Sequence, residues 1–498
     1  MRDKHKSGNE INVLKTDDAI VDVFIIGAGP AGLTAALRLH QLGYRIQLIE
    51  SSAHWPRFNI GEALTPGIKN IIEMLGATEA LATVNHLANI PTCVRWQHQK
   101  EEWINSGSAI VNRAQFDAAL LEHAQQQGID IALPASIQTV TGTADDWTIT
   151  ISHNGISRIV KARFIVDASG RNGHQQFAYA ERLSAMWTEI HNENIPTDIH
   201  NTTRVEALEQ GWLWGSALPD NRYRIMWVGD PHSPRKHNAK QPEQWLAAQC
   251  ASSHLFNSLA TITPTQSLKA CAATPGFAFN SWQDGSVKIG DAAFSLDPIS
   301  SSGVEKAMRF SLTAAVAIHT QLSGNNGSSK ALAQDFFQHR LIETCARHSY
   351  WTQSYYAQAW CHEHDFWQLR SQPIRFDVNN LNDESGNQQT LLTALDQQLE
   401  HLTNYNPPPL KPLSQFDMTR LLSFDSNTTF INTHCVIDNQ VKNQTALNHP
   451  AVERPLAYLE GEALLPHLNV LKQPQTLSSL LNNLACNMPI DKAQKITA

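Results

Sequence analysis

The chain has 498 residues, 38 Lys+Arg against 46 Asp+Glu for a net charge of −8, and 42% hydrophobic residues including 13 Trp. At about 100–200 residues per domain this is a chain of two to four structural units with enough apolar side chains for a large core, which excludes wholesale disorder. The acidic balance excludes broad phosphate-backbone binding, and no run approaches the roughly 20 apolar residues of a membrane span, so neither nucleic acid nor membrane is expected as a partner.

Met1–Asp18 is polar and of mixed charge, without the apolar stretch of a secretory signal, and residues 1–20 read as a flexible arm. The seven cysteines, at 93, 250, 271, 345, 361, 435 and 486, form no Cys-x-x-Cys pair. That usage predicts a reduced, cytoplasmic protein. Cys361, His362, His364, His434 and Cys435 fit no zinc spacing, so no metal site is expected.

Val21–Ile26 is a short apolar run of the kind found in a buried parallel strand. Ala31–Gln41 carries helical spacing and Arg45–Ile49 reads as a second strand, completing a βαβ unit. Phe116–Gln127 predicts a helix, Trp147–Ser152 an alternating antiparallel strand and Arg163–Asp167 another buried strand. Trp212–Trp214 and Tyr223–Val228 read as paired strands joined by a turn at Pro219-Asp220-Asn221. Val304–Leu322 predicts a long helix, broken at Gly324–Ser329. Helix signals follow over Lys330–Gln353 and Leu391–Leu402, with a rigid linker at Asn406-Pro-Pro-Pro409. Tyr350, Trp351, Tyr355, Tyr356, Trp360, Phe366 and Trp367 form an aromatic stripe, better read as packing than as a substrate groove.

The strongest local signal is Gly27-Ala-Gly29-Pro-Ala31-Gly32. It follows a strand, opens a helix and precedes an acid, Glu50, by about twenty residues, which is the context for dinucleotide binding. Gly27 permits the tight turn, Gly29 lets backbone approach a pyrophosphate, and Gly32 allows close helix–strand packing. Free N–H groups at the helix start serve the phosphates, and Glu50 accepts from ribose hydroxyls. A second signal separates FAD from NAD. In Val287-Lys-Ile-Gly290-Asp291 a strand ends in Gly-Asp, and Asp297-Pro298-Ile-Ser-Ser-Ser-Gly303-Val304 follows before a helix. Asp291 is placed for a flavin ribityl hydroxyl, and the helix N-terminus for the flavin pyrimidine edge.

With these motifs, residues 21–345 resemble the FAD-dependent monooxygenases of the p-hydroxybenzoate hydroxylase type and the flavin-dependent halogenases. The resemblance adds Arg163-Phe-Ile-Val-Asp167-Ala-Ser-Gly170-Arg171, an Arg that reaches the pyrophosphate at Arg113, and a Gly61-Glu62-x-x-x-Pro66 strap beside the flavin. It implies an α/β fold: a Rossmann-type FAD-binding domain of the GR2 type interleaved with an antiparallel-sheet substrate domain, the sheet drawn from about 85–110 and 180–285, then a mostly helical region over 346–498. The cofactor-binding residues are then Gly27, Gly29, Ala31, Gly32, Glu50, Arg113, Asp291, Pro298, Gly303 and Val304.

Three departures bear on the reaction. Trp212-Leu-Trp214-Gly-Ser-Ala keeps the two tryptophans of the tryptophan-halogenase Trp-x-Trp-x-Ile-Pro motif and loses its Ile-Pro. Pro91 stands where those enzymes use a Lys, and Ser300 where they carry a Glu. The Asp-Pro-Ile-Ser-Ser-x-Gly form, together with Phe366–Arg370 and His449–Pro455, is more similar to flavoproteins that mature quinone-cofactor enzymes, among them a monooxygenase of peptidyl tryptophan. That resemblance implies hydroxylation of an aromatic ring through a flavin C4a-hydroperoxide, from O2 and either NAD(P)H or a separate reductase, with an aromatic substrate borne by a Trp-containing precursor protein. His54, Glu62 and His98, near the strap in sequence, are the candidate bases. Halogenation of an aromatic substrate and a slow or non-catalytic assembly role are the alternatives.

Overall fold

The computed structural model describes residues 20–493, except 54, 56–59, 106, 172–175, 237–240, 325–326, 373–386, 407–416, 487 and 491. The expected N-terminal arm and the proline linker at 407–409 therefore lie outside the described residues. The chain forms two compact units, residues 1–315 with 337–396, and residues 316–336 with 397–498.

The first unit is built on two sheets. In the eight-stranded sheet, Ser286–Lys288, Ile156–Asp167, Ile20–Ile26, Ile46–Ile49 and Asp130–Ala132 run parallel in that spatial order. Val23, Phe24 and Ile25 are fully buried, as a strand covered on both faces requires. The strand Ile156–Asp167 has two partners. Its last seven residues pair in parallel with Ile20–Ile26, and its first seven pair antiparallel with Asp146–His153, which extends into Ala135–Thr143. Polar–apolar alternation at Trp147–Ser152 was the mark of that antiparallel arm.

The seven-stranded sheet carries Lys269–Ala272, Ser184–His191, Arg222–Gly229, Gly211–Leu218, Thr203–Leu208, Thr92–Arg95 and Glu102–Ile104 in spatial order. Because successive residues point to opposite faces, each face has its own core. Met186, Leu213, Ile225 and Trp227 pack on the helix Pro242–Ser252 through Trp245 and Leu246. On the other face Trp212, Trp214 and Val228 pack with Tyr356, Phe366 and Trp367. The hairpin register sets Trp212 beside Val228 and Trp214 beside Met226, and Asn221 takes the left-handed conformation in its turn.

Helices fill the rest. Pro30–Gln41 opens with Pro at its first position. Arg113–Gln126 is capped by the Asn112 side chain accepting from Gln115 N. Gly303–Gly324 and Gly327–Ala357 follow, then Asp365–Ser371 and Asn387–Asn404. The boundary expected at 345 falls inside the helix Gly327–Ala357, because its aromatic stripe belongs to the first unit's core. The second unit holds a hairpin of two nine-residue strands, Thr429–Ile437 and Gln440–Asn448, that helix signals did not foretell. It also has a small cluster of its own around Leu480, Leu484 and Met488.

Two glycines fix the first turn. Gly27 has φ +102°, and a Cβ there would stand 2.5 Å from the Ala168 carbonyl oxygen; a Cβ on Gly32 would stand 2.0 Å from the Gly27 carbonyl oxygen. Gly32→Ala therefore has to push the helix off the strand. A loss of roughly 2–3 kcal/mol or more in a chemical-denaturation midpoint is expected, from overpacking against rigid backbone. An unchanged midpoint would mean that the helix shifts freely.

Candidate active site

A cavity of about 840 Å³ opens where the two sheets of the first unit meet. Its first wall is the dinucleotide loop, with Gly27, Gly29, Ala31 and Glu50. Glu50 is buried; Oε2 accepts from Ala28 N at 3.0 Å and Oε1 from Ser52 N at 2.8 Å. The carboxylate lines the cavity, where its acceptor oxygens would meet a vicinal diol such as ribose. Gly32 does not line the cavity; it serves the packing behind it.

The second wall is the Gly-Asp segment. Gly290 sits at φ +57°, with space for no more than a hydrogen against the Ala31 methyl, so residues 259 apart in sequence form one cradle. Asp291 is half-exposed and pairs with Arg171 Nε at 3.1 Å. Pro298, Gly303 and Val304 line the same cavity, at the N-terminus of a 22-residue helix whose first N–H groups and dipole favour negative charge. Asp297 caps the single 3₁₀ turn Pro298–Ser300 by accepting from Ile299 N, and Ser301 closes it with φ +48°.

The third wall is the strap. Arg113 lines the cavity, yet most of its donors are already used: Nε and Nη2 on Asp117 at 3.2 and 3.1 Å, and Nη1 on the Ile60 and Gly61 carbonyls at 2.9 and 3.1 Å. It holds the strap to the helix and leaves at most one N–H for a phosphate. Glu62, one of the three expected bases, lines the cavity, and each of its oxygens already has a partner. It accepts from Gly61 N at 3.0 Å and pairs with buried Arg224. His98 is exposed beyond the strand Thr92–Arg95 and is absent from the cavity wall; His54 lies outside the described residues.

The fourth wall is the antiparallel sheet. Trp187, Met226 and Trp214 are cross-strand neighbours in one row, and all three face the cavity. One register step away, Arg224 lies beside Glu189. Arg224 pairs with both Glu62 and Glu189, and Glu189 also with Arg222, whose guanidinium pKa is raised by its hydrogen bond to Asp220. Sequence reasoning missed Arg224 and Glu189. Their signal was a charge at an inward position of an otherwise apolar strand.

Asp297 was also missed as more than a motif residue. Its carboxylate accepts from Tyr356 Oη at 2.9 and 3.1 Å, and Tyr356 Oη accepts from Trp212 Nε1 at 3.1 Å. Asp297 N donates to His348 Nε2 at 2.8 Å. Burial pushes the Asp297 carboxyl up to about 6 and His348 down to about 4, so the imidazole is neutral and accepts through Nε2.

The residues present fit FAD: a diol acceptor at Glu50, backbone N–H groups at two helix starts, an acid after the strand end, and a loop pinned beside them. The FAD binding domain family matches residues 20–335, and the chain belongs to that family. A tryptophan 2-halogenase of Chondromyces crocatus is 28% identical over 349 residues, 64% of this chain. The alignment spans 64% of that relative, which leaves the remainder of the relative unmatched. Among solved structures, the peptidyl tryptophan dihydroxylase QhpG, essential for tryptophylquinone cofactor biogenesis, superposes with a TM-score of 0.68 and 19% identity over 96% of this chain and 98% of that one. CmlS, a flavin-dependent halogenase, superposes with a TM-score of 0.71 and 19% identity over 95% and 93%. At that identity the likeness is one of fold. No helix among the described residues is long and apolar enough to cross a membrane.

Two outcomes follow from the buried charges. Arg224→Met leaves buried Glu62 without a counter-ion and Glu189 with Arg222 alone, and thermal or chemical denaturation is expected to register a loss of about 3–5 kcal/mol. Asp297 binds its proton more tightly folded than unfolded, so its contribution is present in full below about pH 4 and is lost as pH rises through about 6. The stability difference between Asp297→Asn and the parent should therefore move in favour of the variant, by roughly 2–3 kcal/mol, between pH 4 and pH 7. A pH-independent difference would assign Asp297 an ordinary carboxyl pKa.

Proposed function

We propose that this protein is an FAD-dependent monooxygenase that hydroxylates an aromatic ring, and that the ring is a tryptophan in a peptide or partner protein on the way to a quinone cofactor. The observation that carries the reading is the sheet wall of the cavity. The Trp187–Met226–Trp214 row offers flat, polarisable surface for an aromatic ring, and no Lys lines the cavity among the described residues. Ser300, at the place of the halogenase Glu, is occupied with Ser302 Oγ at 2.8 Å.

FAD, bound and reduced by NAD(P)H or a reductase, supplies the oxygen-activating chemistry. The chain's own part is to hold, orient and dry. Glu50, Asp291 and the helix start at Gly303 hold the cofactor; the aromatic row holds the ring against it; the pinned strap keeps the two in one register. Fold likeness to QhpG supports a tryptophan in a polypeptide as substrate. Likeness to the Chondromyces tryptophan 2-halogenase supports the second reading, halogenation of an aromatic substrate. A slow assembly role, docking on a partner with little turnover, is the third.

The test is mass spectrometry of free tryptophan and of a tryptophan-containing peptide after incubation with the purified flavoprotein, NADPH and a flavin reductase in air, with and without chloride and bromide. Oxygen gain on the peptide, indifferent to halide, is expected. Halogen gain would replace this reading with the second, and a peptide left unmodified beside oxidised free tryptophan would make the substrate a small molecule. Trp214→Ala is expected to lower kcat/KM about tenfold or more through loss of ring packing.

A further inference from the structure

We propose that Asp297 accepts the proton that leaves the aromatic ring on substitution, and that Tyr356 is the positioning residue that holds its carboxylate in place. The inference rests on the reading that an aromatic ring is hydroxylated.

The chemistry needs such a group. When an electrophile bonds to a ring carbon, the C–H bond at that carbon must break; its electron pair restores the aromatic system and the proton needs an acceptor. For hydroxylation one oxygen atom of O2 enters the ring and the other leaves as water, with two electrons from NAD(P)H. Of the bases suggested by sequence, His98 is exposed and absent from the cavity wall, Glu62 is ion-paired with Arg224, and His54 lies outside the described residues.

Asp297 lines the cavity, is 4% exposed, and sits in the turn that leads into Pro298 and the helix start at Gly303. Its Oδ1 takes Ile299 N at 3.0 Å as well as Tyr356 Oη, so Oδ2 carries the freer lone pairs. The tyrosine is itself fixed by Trp212 Nε1 on the substrate sheet, and His348 takes the Asp297 backbone N–H. The turn is therefore held from the sheet and from the helix Gly327–Ala357 at once. The charged and titratable groups around the carboxyl are few: Tyr356 and neutral His348 from that helix, Arg370 from Asp365–Ser371, and Tyr179 ahead of the strand Ser184–His191. Burial outweighs the hydrogen bonds and Arg370, and the carboxyl is lifted to about 6, close to the working range of a general base.

The experiment uses the full chain with FAD, NADPH and a flavin reductase, with the tryptophan-containing peptide as probe. Asp297→Asn, which keeps the shape and an acceptor for Tyr356, is expected to lower kcat by about 100-fold or more with little change in KM. In the parent, kcat should fall on the acid side with a midpoint near pH 6. Tyr356→Phe removes a hydrogen bond that favours the carboxylate, so that limb should move to higher pH. A merely structural tyrosine would lower kcat at every pH and leave the limb where it was. A substrate-free readout runs alongside: the infrared band of a protonated carboxyl should titrate near pH 6, vanish in Asp297→Asn and shift upward in Tyr356→Phe. Ring modification that persists in Asp297→Asn, or a limb unmoved by Tyr356→Phe, overturns the assignment. A band that titrates as described in a protein that modifies no aromatic ring overturns the proposed reaction class and the role together.

Discussion

A guanidinium buried inside a sheet must find its counter-charges there, and Arg224 finds them on two different elements. Glu189 is its neighbour on the adjacent strand; Glu62 comes from the strap, 162 residues away in sequence. A fixed interior cation leaves the strap one low-energy position, because withdrawal of Glu62 would leave charges unpaired in a dry place. Arg113 fixes the same strap from the helix side, and Glu305, bonded to Thr65, fixes it from the start of the helix Gly303–Gly324. Three elements that contribute to the cofactor site and to the sheet wall thus share one short segment. The cavity owes its shape to that agreement.

The same logic runs through the turn at Asp297. A carboxyl taken out of water costs free energy unless hydrogen bonds receive it. Ile299 N in the same turn and Tyr356 Oη receive it, and His348 takes the Asp297 backbone N–H; Tyr356 and His348 come from a helix remote in sequence. Of the aromatic stripe on that helix, Tyr356 is buried and Tyr355 packs against the same core, while Tyr350 and Trp351 are exposed; Tyr356 also bonds Asp297 at the cavity wall.

The parallel sheet and the dinucleotide loop were legible because their signals are local: an apolar run, glycines at fixed offsets, and an acid about twenty residues on. The paired strands at Trp212 and Tyr223 were legible from alternation and a turn. Arg224, Glu189 and Tyr356 were hidden for the opposite reason. Each is defined by a partner far along the chain, and nothing in YRIMWV or SAMWTEIH says which element will meet the charge. His98 lies near the strap in the chain, but the strand Thr92–Arg95 that precedes it stands four places from Ser184–His191 in the sheet, and His98 is absent from the cavity wall. The hairpin in the tail escaped because its residues are polar on much of both faces, which blurs a period of two.

The two-faced sheet has a consequence for replacements in the cavity wall. Trp187, Trp214 and Met226 alternate along their strands with Met186, Leu213, Ile225 and Trp227, which build the opposite core. Cavity-facing residues and the residues of the opposite core are thus interleaved in sequence and separated in space by the thickness of a single sheet. Trp214 also belongs to the core packed on the cavity's own face, so a replacement there alters the chamber wall and the packing behind it together.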